Sequence, residues 1–150
     1  MTSESLHATC VIVGEDGVLI RGRSGAGKSK LARGLIGEAK QRGFFARLVG
    51  DDRVMVEAAD GRLIGSGHPA IAGFIEARGL GILPAETEQA CVVRLIVDLA
   101  DEPGPRLPDH KDKWVTVCGT TIARLMLGPE ADRPDLVFTA LDQLRAKRQK

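Results

Sequence analysis

Aromatic side chains are scarce in this sequence: among 150 residues there are four Phe, one Trp and no Tyr. Proteins that bind single-stranded nucleic acid stack bases on aromatic rings, so this composition argues against such a partner. Charge of one sign is not in excess either, because 21 Lys and Arg face 20 Asp and Glu. A net charge of +1 does not attract a phosphate backbone, and we expect no nucleic-acid partner.

Cysteines and long apolar runs are also few. Cys10, Cys91 and Cys118 are odd in number, widely spaced and set in apolar runs, which predicts reduced core thiols and argues against a disulfide framework or a zinc site. No apolar run approaches the roughly 20 residues of a membrane span, and the first residues do not form a signal peptide. We therefore expect one cytoplasmic domain, residues 1–150, without membrane contact.

Glycine, by contrast, is plentiful, with 18 residues, and three glycines fall in one phosphate-binding pattern. The pattern G-x-x-x-x-G-K-[ST] is matched at every fixed position by Gly22, Arg23, Ser24, Gly25, Ala26, Gly27, Lys28 and Ser29. Such a loop turns tightly and points N–H groups at an anion, beside the start of a helix. We expect Lys28 to reach the β- and γ-phosphates of a nucleotide and the Ser29 hydroxyl to bind Mg²⁺.

The flanks of this loop have the required pattern of a strand followed by a helix. Residues 18–20 form a short apolar run suited to a buried strand. After the loop, Leu31, Leu35 and Ala39 recur at helical spacing, and residues 41–43 mark the end of that helix. The context therefore favours a nucleotide-binding loop in an α/β fold.

Acidic residues follow two predicted strands, and both are candidates for the chemistry. Residues 44–49 lead into Asp51 and Asp52, and residues 91–98 end at Asp98. Carboxylates at strand ends can meet a metal, a γ-phosphate or an incoming hydroxyl. The pattern alone does not choose between the Asp51–Asp52 pair and Asp98.

The rest of the chain is predicted as mostly strands. Two hairpins are expected, at residues 9–20 and 54–64, with an extended stretch at 68–74, late strands at 114–118 and 125–127, and an exposed loop at 101–112. Residues 76–84, with two close glycines, read as a working loop in which Glu76 could bind Mg²⁺ and Arg78 could balance phosphate charge. A final helix from Pro134 is predicted to bury Leu136, Ala140, Leu141 and Leu144 and to end in a solvated basic tail.

Four of these features together resemble one family. They are the strand led by His7, the G-x-S-G-x-G-K-S loop, the Asp51–Asp52 pair and the E-x-R-G-L-G-I stretch of residues 76–82. In this order and spacing they resemble the catalytic domain of bacterial HPr kinase/phosphorylase, in a short proteobacterial form without the N-terminal domain. The last stretch is the most specific of the four.

The resemblance implies a P-loop α/β domain related in architecture to phosphoenolpyruvate carboxykinase, assembled as a homo-oligomer, usually a hexamer. It implies a protein-serine kinase that uses ATP and Mg²⁺ to phosphorylate HPr, a small carrier protein of the sugar phosphotransferase system, and that reverses this reaction with inorganic phosphate. By motif position, Asp52 is the general base with Asp51 beside it, and His7 is the active-site histidine. Glu76 and Ser29 match the Mg²⁺ ligands.

The sequence departs from the family where a basic loop is expected near the last strand. Residues 128–134 keep only Arg133 as a candidate for the catalytic arginine, between Glu130 and Asp132. These acids are expected to repel phosphate and partly neutralise Arg133, so we predict a kinase that runs its reverse reaction poorly. Two alternatives stay open: a small-molecule kinase or NTPase that uses Asp98, and a nucleotide-sensing module without catalysis.

Overall fold

The computed structural model describes residues 3–69 and 73–148, which contain eleven β-strands and two α-helices. The strands are β1 (Ser3–Leu6), β2 (Ala8–Val13), β3 (Asp16–Arg21), β4 (Ala46–Gly50), β5 (Val54–Ala59), β6 (Arg62–Gly67), β7 (Phe74–Ala77), β8 (Gly81–Pro84), β9 (Ala90–Leu99), β10 (Trp114–Val117) and β11 (Thr120–Leu127). The helices are α1 (Lys28–Gln41) and α2 (Arg133–Arg148). The predicted α/β fold is confirmed.

Strand β9 lies at the centre of a nine-stranded mixed sheet. Its first half pairs antiparallel with β6, its second half pairs parallel with β11, and β3 runs parallel along its other side. Because β4 is antiparallel to β2, and β2 to β3, the strands β3, β4, β9 and β11 share one direction. Their carboxyl ends meet at one edge of the sheet, which is where α/β proteins bind ligands.

Both predicted hairpins are present. Gly14 and Glu15 join β2 to β3, with Val13 opposite Asp16. Asp60 and Gly61 join β5 to β6, and both have positive φ, 51° and 74°. Two-residue hairpin turns need this left-handed backbone, which Asp and Gly tolerate better than other residues. The first hairpin delivers β3 directly into the phosphate loop.

Helix α1 covers one face of the sheet as predicted, whereas α2 departs in part from its prediction. Its core face consists of Val137, Phe138 and Leu141, while Leu136 keeps 38% of its surface exposed. Apolar residues stand four apart both from Leu136 and from Val137, so helical spacing alone does not select the buried row.

The basic end of α2 was predicted to be solvated, and this is wrong for two arginines. The carboxylate of Asp16, buried at the turn-side end of β3, accepts hydrogen bonds from Arg145 Nε at 2.7 Å and from Arg148 Nη2 at 2.8 Å. Arg145 also donates to the Val13 carbonyl at 3.1 Å. These bonds anchor α2 to the first hairpin. Residues 149 and 150 lie outside the described residues.

Residues 76–84, predicted as a loop, belong to the separate two-stranded sheet of β7 and β8. Ile75 and Ala77 are buried, whereas Glu76 between them is exposed. Gly79 and Gly81 have φ of 93° and 109°, backbone conformations that residues with a side chain rarely adopt. This requirement explains why two glycines stand so close together here. The extended stretch expected at residues 68–74 falls partly outside the described residues.

The three cysteines are free thiols, as predicted. Cys10 and Cys91 are buried, with their sulfurs 3.5 Å apart, and the hydrogen bond to Cys91 and burial raise the pKa of Cys10. Cys118 is half-buried in the β10–β11 turn, with a φ of 50°, and so is not a core residue. None of the helices within 3–69 and 73–148 is long and apolar enough to cross a membrane.

Candidate active site

The phosphate loop joins β3 to α1 at the carboxyl edge of the sheet. Gly25 and Gly27 have φ of 86° and 104°, and a Cβ on Gly22 would lie 3.2 Å from both Ala26 and Leu99. The turn therefore needs glycine at these positions for backbone conformation and for close packing. Helix α1 carries neither a side-chain cap nor an acid in its first turn, so its terminal N–H groups stay available to an anion.

Lys28 holds the loop closed. Its ammonium is largely buried and donates to the carbonyls of Gly22 at 2.9 Å and Arg23 at 3.2 Å. Both acceptors belong to the loop itself, so the cation lies beside the backbone N–H groups that form the cradle. A lysine in this position is a compact point charge for the outer phosphates of a nucleotide.

Asp51 is buried and links three elements of the site. Its Oδ1 accepts from the hydroxyls of Thr9 at 2.8 Å and Ser29 at 2.6 Å, and its Oδ2 accepts from the backbone N–H of Glu76 at 2.9 Å. These bonds tie β2, α1 and β7 to the end of β4. Asp51 therefore faces inward, toward its hydrogen-bond donors, and holds the Ser29 hydroxyl and the Glu76 backbone in place.

Asp52 faces the opposite way. Its φ of 66° is unusual for a residue other than glycine. The Asp52 side chain is 67% exposed. Oδ1 lies 2.5 Å from Nε2 of His7, the residue between β1 and β2. The histidine fixes the direction of the carboxylate, which lines the cavity over the phosphate loop. The structure thus brings His7 and Asp52 together, as the motif comparison predicts.

Glu76 and Arg78 lie on the β7–β8 hairpin and line the same cavity as Ser29. Mg²⁺ takes one or two protein oxygens and completes its shell with substrate phosphates and water. The Ser29 hydroxyl and the Glu76 carboxylate fit this requirement, and Asp51 fixes both residues in place. Across residues 3–69 and 73–148, no three His, Cys, Asp or Glu side chains gather into a metal site, so a cation here would rely on phosphate ligands.

Asp98 has neighbours that differ from those of Asp52. It accepts from Arg21 Nε at 2.7 Å, Arg21 Nη2 at 2.8 Å and Arg124 Nε at 2.6 Å, and only 17% of its side chain is exposed. Burial alone would raise the pKa of Asp98, but the two arginines outweigh it and hold this pKa below its ordinary value. A carboxylate held in this way does not accept a proton readily and is not part of the cavity lining.

Arg133, at the start of α2, binds backbone carbonyls of the phosphate loop and of two neighbouring segments. It donates to the carbonyls of Ala26 at 2.9 Å and Gly128 at 3.2 Å, and lies 3.5 Å from that of Ala100. Within the described part of the chain Arg133 forms no ion pair with a carboxylate, and Asp132 instead accepts from the N–H of Asp135 at 3.4 Å. The partial neutralisation of Arg133 by the charges of Glu130 and Asp132 therefore does not act through a direct ion pair, and it stays a prediction.

The phosphate loop and the residues around it line one open cavity of about 940 Å³. Its lining comprises Ser24, Gly25, Ala26, Gly27, Lys28, Ser29, Lys30, Arg33, Asp52, Glu76, Arg78 and Arg133. Sequence reasoning identified most of these lining residues but missed Lys30 and Arg33. It also missed Thr9, which is not in the lining and donates to Asp51. Thr9 carries no local signal, because a threonine in a strand is common, and only the fold brings it to Asp51.

Fold and site define an α/β protein with a P-loop whose cavity brings together a glycine-rich loop, a hydroxyl and a carboxylate suited to a cation, and the exposed carboxylate of Asp52. The family model described as "HPr Serine kinase C-terminal domain" matches residues 1–101. The chain belongs to this family, and its fold is the P-loop architecture that the resemblance implied.

Curated relatives and a solved structure agree with this assignment. The chain is 38% identical over 109 residues to HPr kinase/phosphorylase of Clostridium beijerinckii, covering 73% of this chain and 32% of that protein. It is 28% identical over 159 residues to HPr kinase/phosphorylase of Mycoplasma mycoides, covering 96% of this chain and 49% of that protein. The chain thus spans about a third to a half of these relatives.

The Hpr(Ser) kinase/phosphatase from Coxiella burnetii has the same fold. Its structure superposes with a TM-score of 0.78 and 26% identity, covering 97% of this chain and 93% of that one. The match therefore includes residues after 101, where the family model stops.

Proposed function

We propose that this protein is a protein-serine kinase that transfers the γ-phosphoryl group of ATP to a serine of HPr. The observation that carries the proposal is the exposed Asp52 carboxylate, held by His7 and lining one cavity with the phosphate loop. A base at this place can take the proton of an incoming hydroxyl while the cradle holds the nucleotide. The names of the relatives supply HPr as the acceptor.

In this mechanism the serine oxygen attacks the γ-phosphorus, the bond to the β-phosphate oxygen breaks, and the serine proton goes to Asp52. Lys28 and the loop N–H groups bind the phosphate oxygens, whose negative charge shifts toward ADP during transfer. When bound by Ser29, Glu76 and the phosphates, Mg²⁺ supplies charge neutralisation. His7 keeps the carboxylate aimed at the acceptor, and Arg78 supplies positive charge at the acceptor side of the cavity.

The reverse reaction would use the same base. Inorganic phosphate attacks the phosphorus of phosphoserine, pyrophosphate forms, and Asp52 returns a proton to the serine oxygen. We propose that this direction is weak, because Glu130 and Asp132 add negative charge near Arg133 where a further phosphate must enter. Phosphorolysis measured against phosphate concentration should show a high requirement, worsened in Arg133→Ala and eased in Glu130→Gln or Asp132→Asn. Saturation at low phosphate that is indifferent to Arg133 would contradict this.

Two other functions remain as outcomes of one experiment. The purified protein is incubated with Mg-ATP, with and without HPr, and both phosphoserine and ADP are measured. Phosphoserine on HPr supports the proposal, and HPr-independent ADP release would indicate a small-molecule kinase or NTPase. Binding without turnover would indicate a nucleotide sensor. The hydrogen bonds from two arginines to Asp98 argue against the NTPase hypothesis, because that hypothesis uses Asp98 as the catalytic carboxylate.

We also propose a cytoplasmic location and a homo-oligomer, as the family resemblance implies. Light scattering coupled to gel filtration gives the oligomeric mass directly. A mass near six chains would support the hexamer, and a monomer at working concentration would contradict it.

A further inference from the structure

A second cavity, here called the side cavity, lies next to the main one, between α1 and the segment that joins β11 to α2. Its volume is about 520 Å³. Four residues line both cavities: Gly27, Lys30, Arg33 and Arg133. The two spaces are therefore neighbours along these four residues, beside the phosphate loop.

The two cavities differ in chemistry along this path. Asp52, Glu76 and Arg78 line only the main cavity. The side cavity adds the apolar residues Leu31, Gly34, Pro129, Ala131 and Pro134. Among the residues that the structure describes, Asp132 supplies the one carboxylate in its lining. The three shared cations lie between a polar end and an apolar end.

A nucleotide has a matching order of chemical groups: the outer phosphates, the inner phosphate, and then the less polar nucleoside. Its γ-phosphate must face Asp52 for transfer, so the inner phosphate and the nucleoside point away from that carboxylate. The charged side chains that line both cavities are those of Lys30, Arg33 and Arg133, which suit the charge of the inner phosphate. The apolar walls beyond them suit a base and ribose, because small-molecule sites are mostly apolar with few polar groups.

We propose that the side cavity is the nucleoside subsite, which binds the base and ribose of the donor nucleotide. This inference rests on the proposed function, since it assigns the part of the donor that the reaction does not touch. The Asp132 carboxylate, which lines the subsite, is placed to accept a hydrogen bond from a ribose hydroxyl.

Gly34 offers a direct way to fill the side cavity. It lies in α1, and a Cβ there would be 3.4 Å from Cγ of Pro134, on the opposite wall. A leucine at this position would occupy space that the nucleoside needs. Gly37 is the matched control, because it lies one turn further along α1, is exposed, and has open space around a Cβ. Glycine to leucine changes helix propensity equally at both sites.

The test compares Mg-ATP with Mg-tripolyphosphate, which has the phosphates but no nucleoside, by calorimetric titration of the unmodified protein, Gly34→Leu and Gly37→Leu. Gly34→Leu is expected to weaken ATP binding by about tenfold or more and tripolyphosphate binding by less than about twofold. Gly37→Leu should leave both affinities unchanged. Ala131→Leu, which fills the same space from the other wall, should repeat the Gly34→Leu result and serves if that variant does not fold.

Unchanged ATP affinity in both cavity-filling variants would overturn the subsite, as would an equal loss for both ligands. Loss of ATP affinity alone supports it. If the unmodified protein binds neither ligand, the phosphate loop is not a nucleotide site, and the proposed function fails together with the subsite. If it binds tripolyphosphate and ATP equally well, the phosphate loop stands and only the nucleoside subsite is wrong.

Discussion

Two carboxylates at the same edge of the sheet, Asp52 after β4 and Asp98 near the end of β9, have opposite surroundings. Asp52 is 67% exposed and has one partner, His7, whereas Asp98 is 17% exposed and is held by two arginines. Both are acids at strand ends, and only the neighbouring strands distinguish them. A carboxylate becomes available for proton transfer when the fold leaves it facing the ligand cavity, and becomes structural when cations satisfy its oxygens.

In the proposed mechanism the phosphate loop binds the reacting phosphates beside Asp52. Removing its cation, Lys28, should therefore have the largest effect on that side of the comparison. Lys28→Ala is expected to slow phosphoryl transfer by about 100- to 1,000-fold, because the transition-state charge loses a fixed donor. Its bonds to Gly22 and Arg23 stay within one loop and link no second element, so the free energy of unfolding should fall by only about 1 kcal/mol.

Transfer rate and urea unfolding of Lys28→Ala should be measured on one preparation. Lys40→Ala, in the last turn of the same helix and exposed, is the control and should change neither. Full activity in a folded Lys28→Ala protein would remove the phosphate loop from the account.

Substitution of Asp98 should change the stability of the protein and not its activity. Asp98→Asn is expected to lower the free energy of unfolding by about 2 kcal/mol, since two half-buried arginines lose their charged partner. Transfer should stay within about twofold. Asp101→Asn breaks the more exposed pair with Arg23 and should cost under about 0.5 kcal/mol. Equal losses of unfolding free energy in Asp98→Asn and Asp101→Asn would show that the two arginines around Asp98 add no stability beyond that of an exposed ion pair.

Acid should remove this same stabilisation. Because the pKa of Asp98 is lower in the folded protein, its contribution is complete above the unfolded pKa and is lost as pH falls through the folded one. The stability gap between the unmodified protein and Asp98→Asn should therefore be constant from pH 7 to about 5 and shrink below about 4. A gap that widens on acidification would reverse the assigned direction of the pKa shift.

A smaller effect is expected on the β7–β8 hairpin. Glu76→Ala should lower turnover about tenfold at limiting Mg²⁺ and recover at high Mg²⁺, because mass action refills a weakened cation site. Arg78→Ala should lose turnover that added Mg²⁺ does not restore, since no free ion replaces a fixed charge. Glu88→Ala, an exposed carboxylate beyond the hairpin, is the control. Equal Mg²⁺ rescue of all three variants would argue against the ligand role of Glu76.

Local patterns were enough to predict the phosphate loop, α1 and both hairpins, because each depends on residues close together in sequence. The difference between Asp52 and Asp98 was not predictable from the residues alone. Arg21 and Arg124 are 77 and 26 positions away from Asp98 and reach it through strand pairing. The inward turn of Asp51 likewise depends on Thr9, 42 positions away. Family resemblance, not spacing, pointed to His7 and to Asp52 as the base.

The most direct test of the account measures phosphoserine formation on HPr by Asp52→Asn and Asp98→Asn in one assay, at saturating Mg-ATP. ATP affinity and unfolding midpoint are recorded for the same samples. We predict that Asp52→Asn loses about 1,000-fold or more in rate while it keeps its ATP affinity and fold, and that the rate of Asp98→Asn stays within about twofold. A catalytically active Asp52→Asn beside an inactive, folded Asp98→Asn would contradict the account and make Asp98 the base.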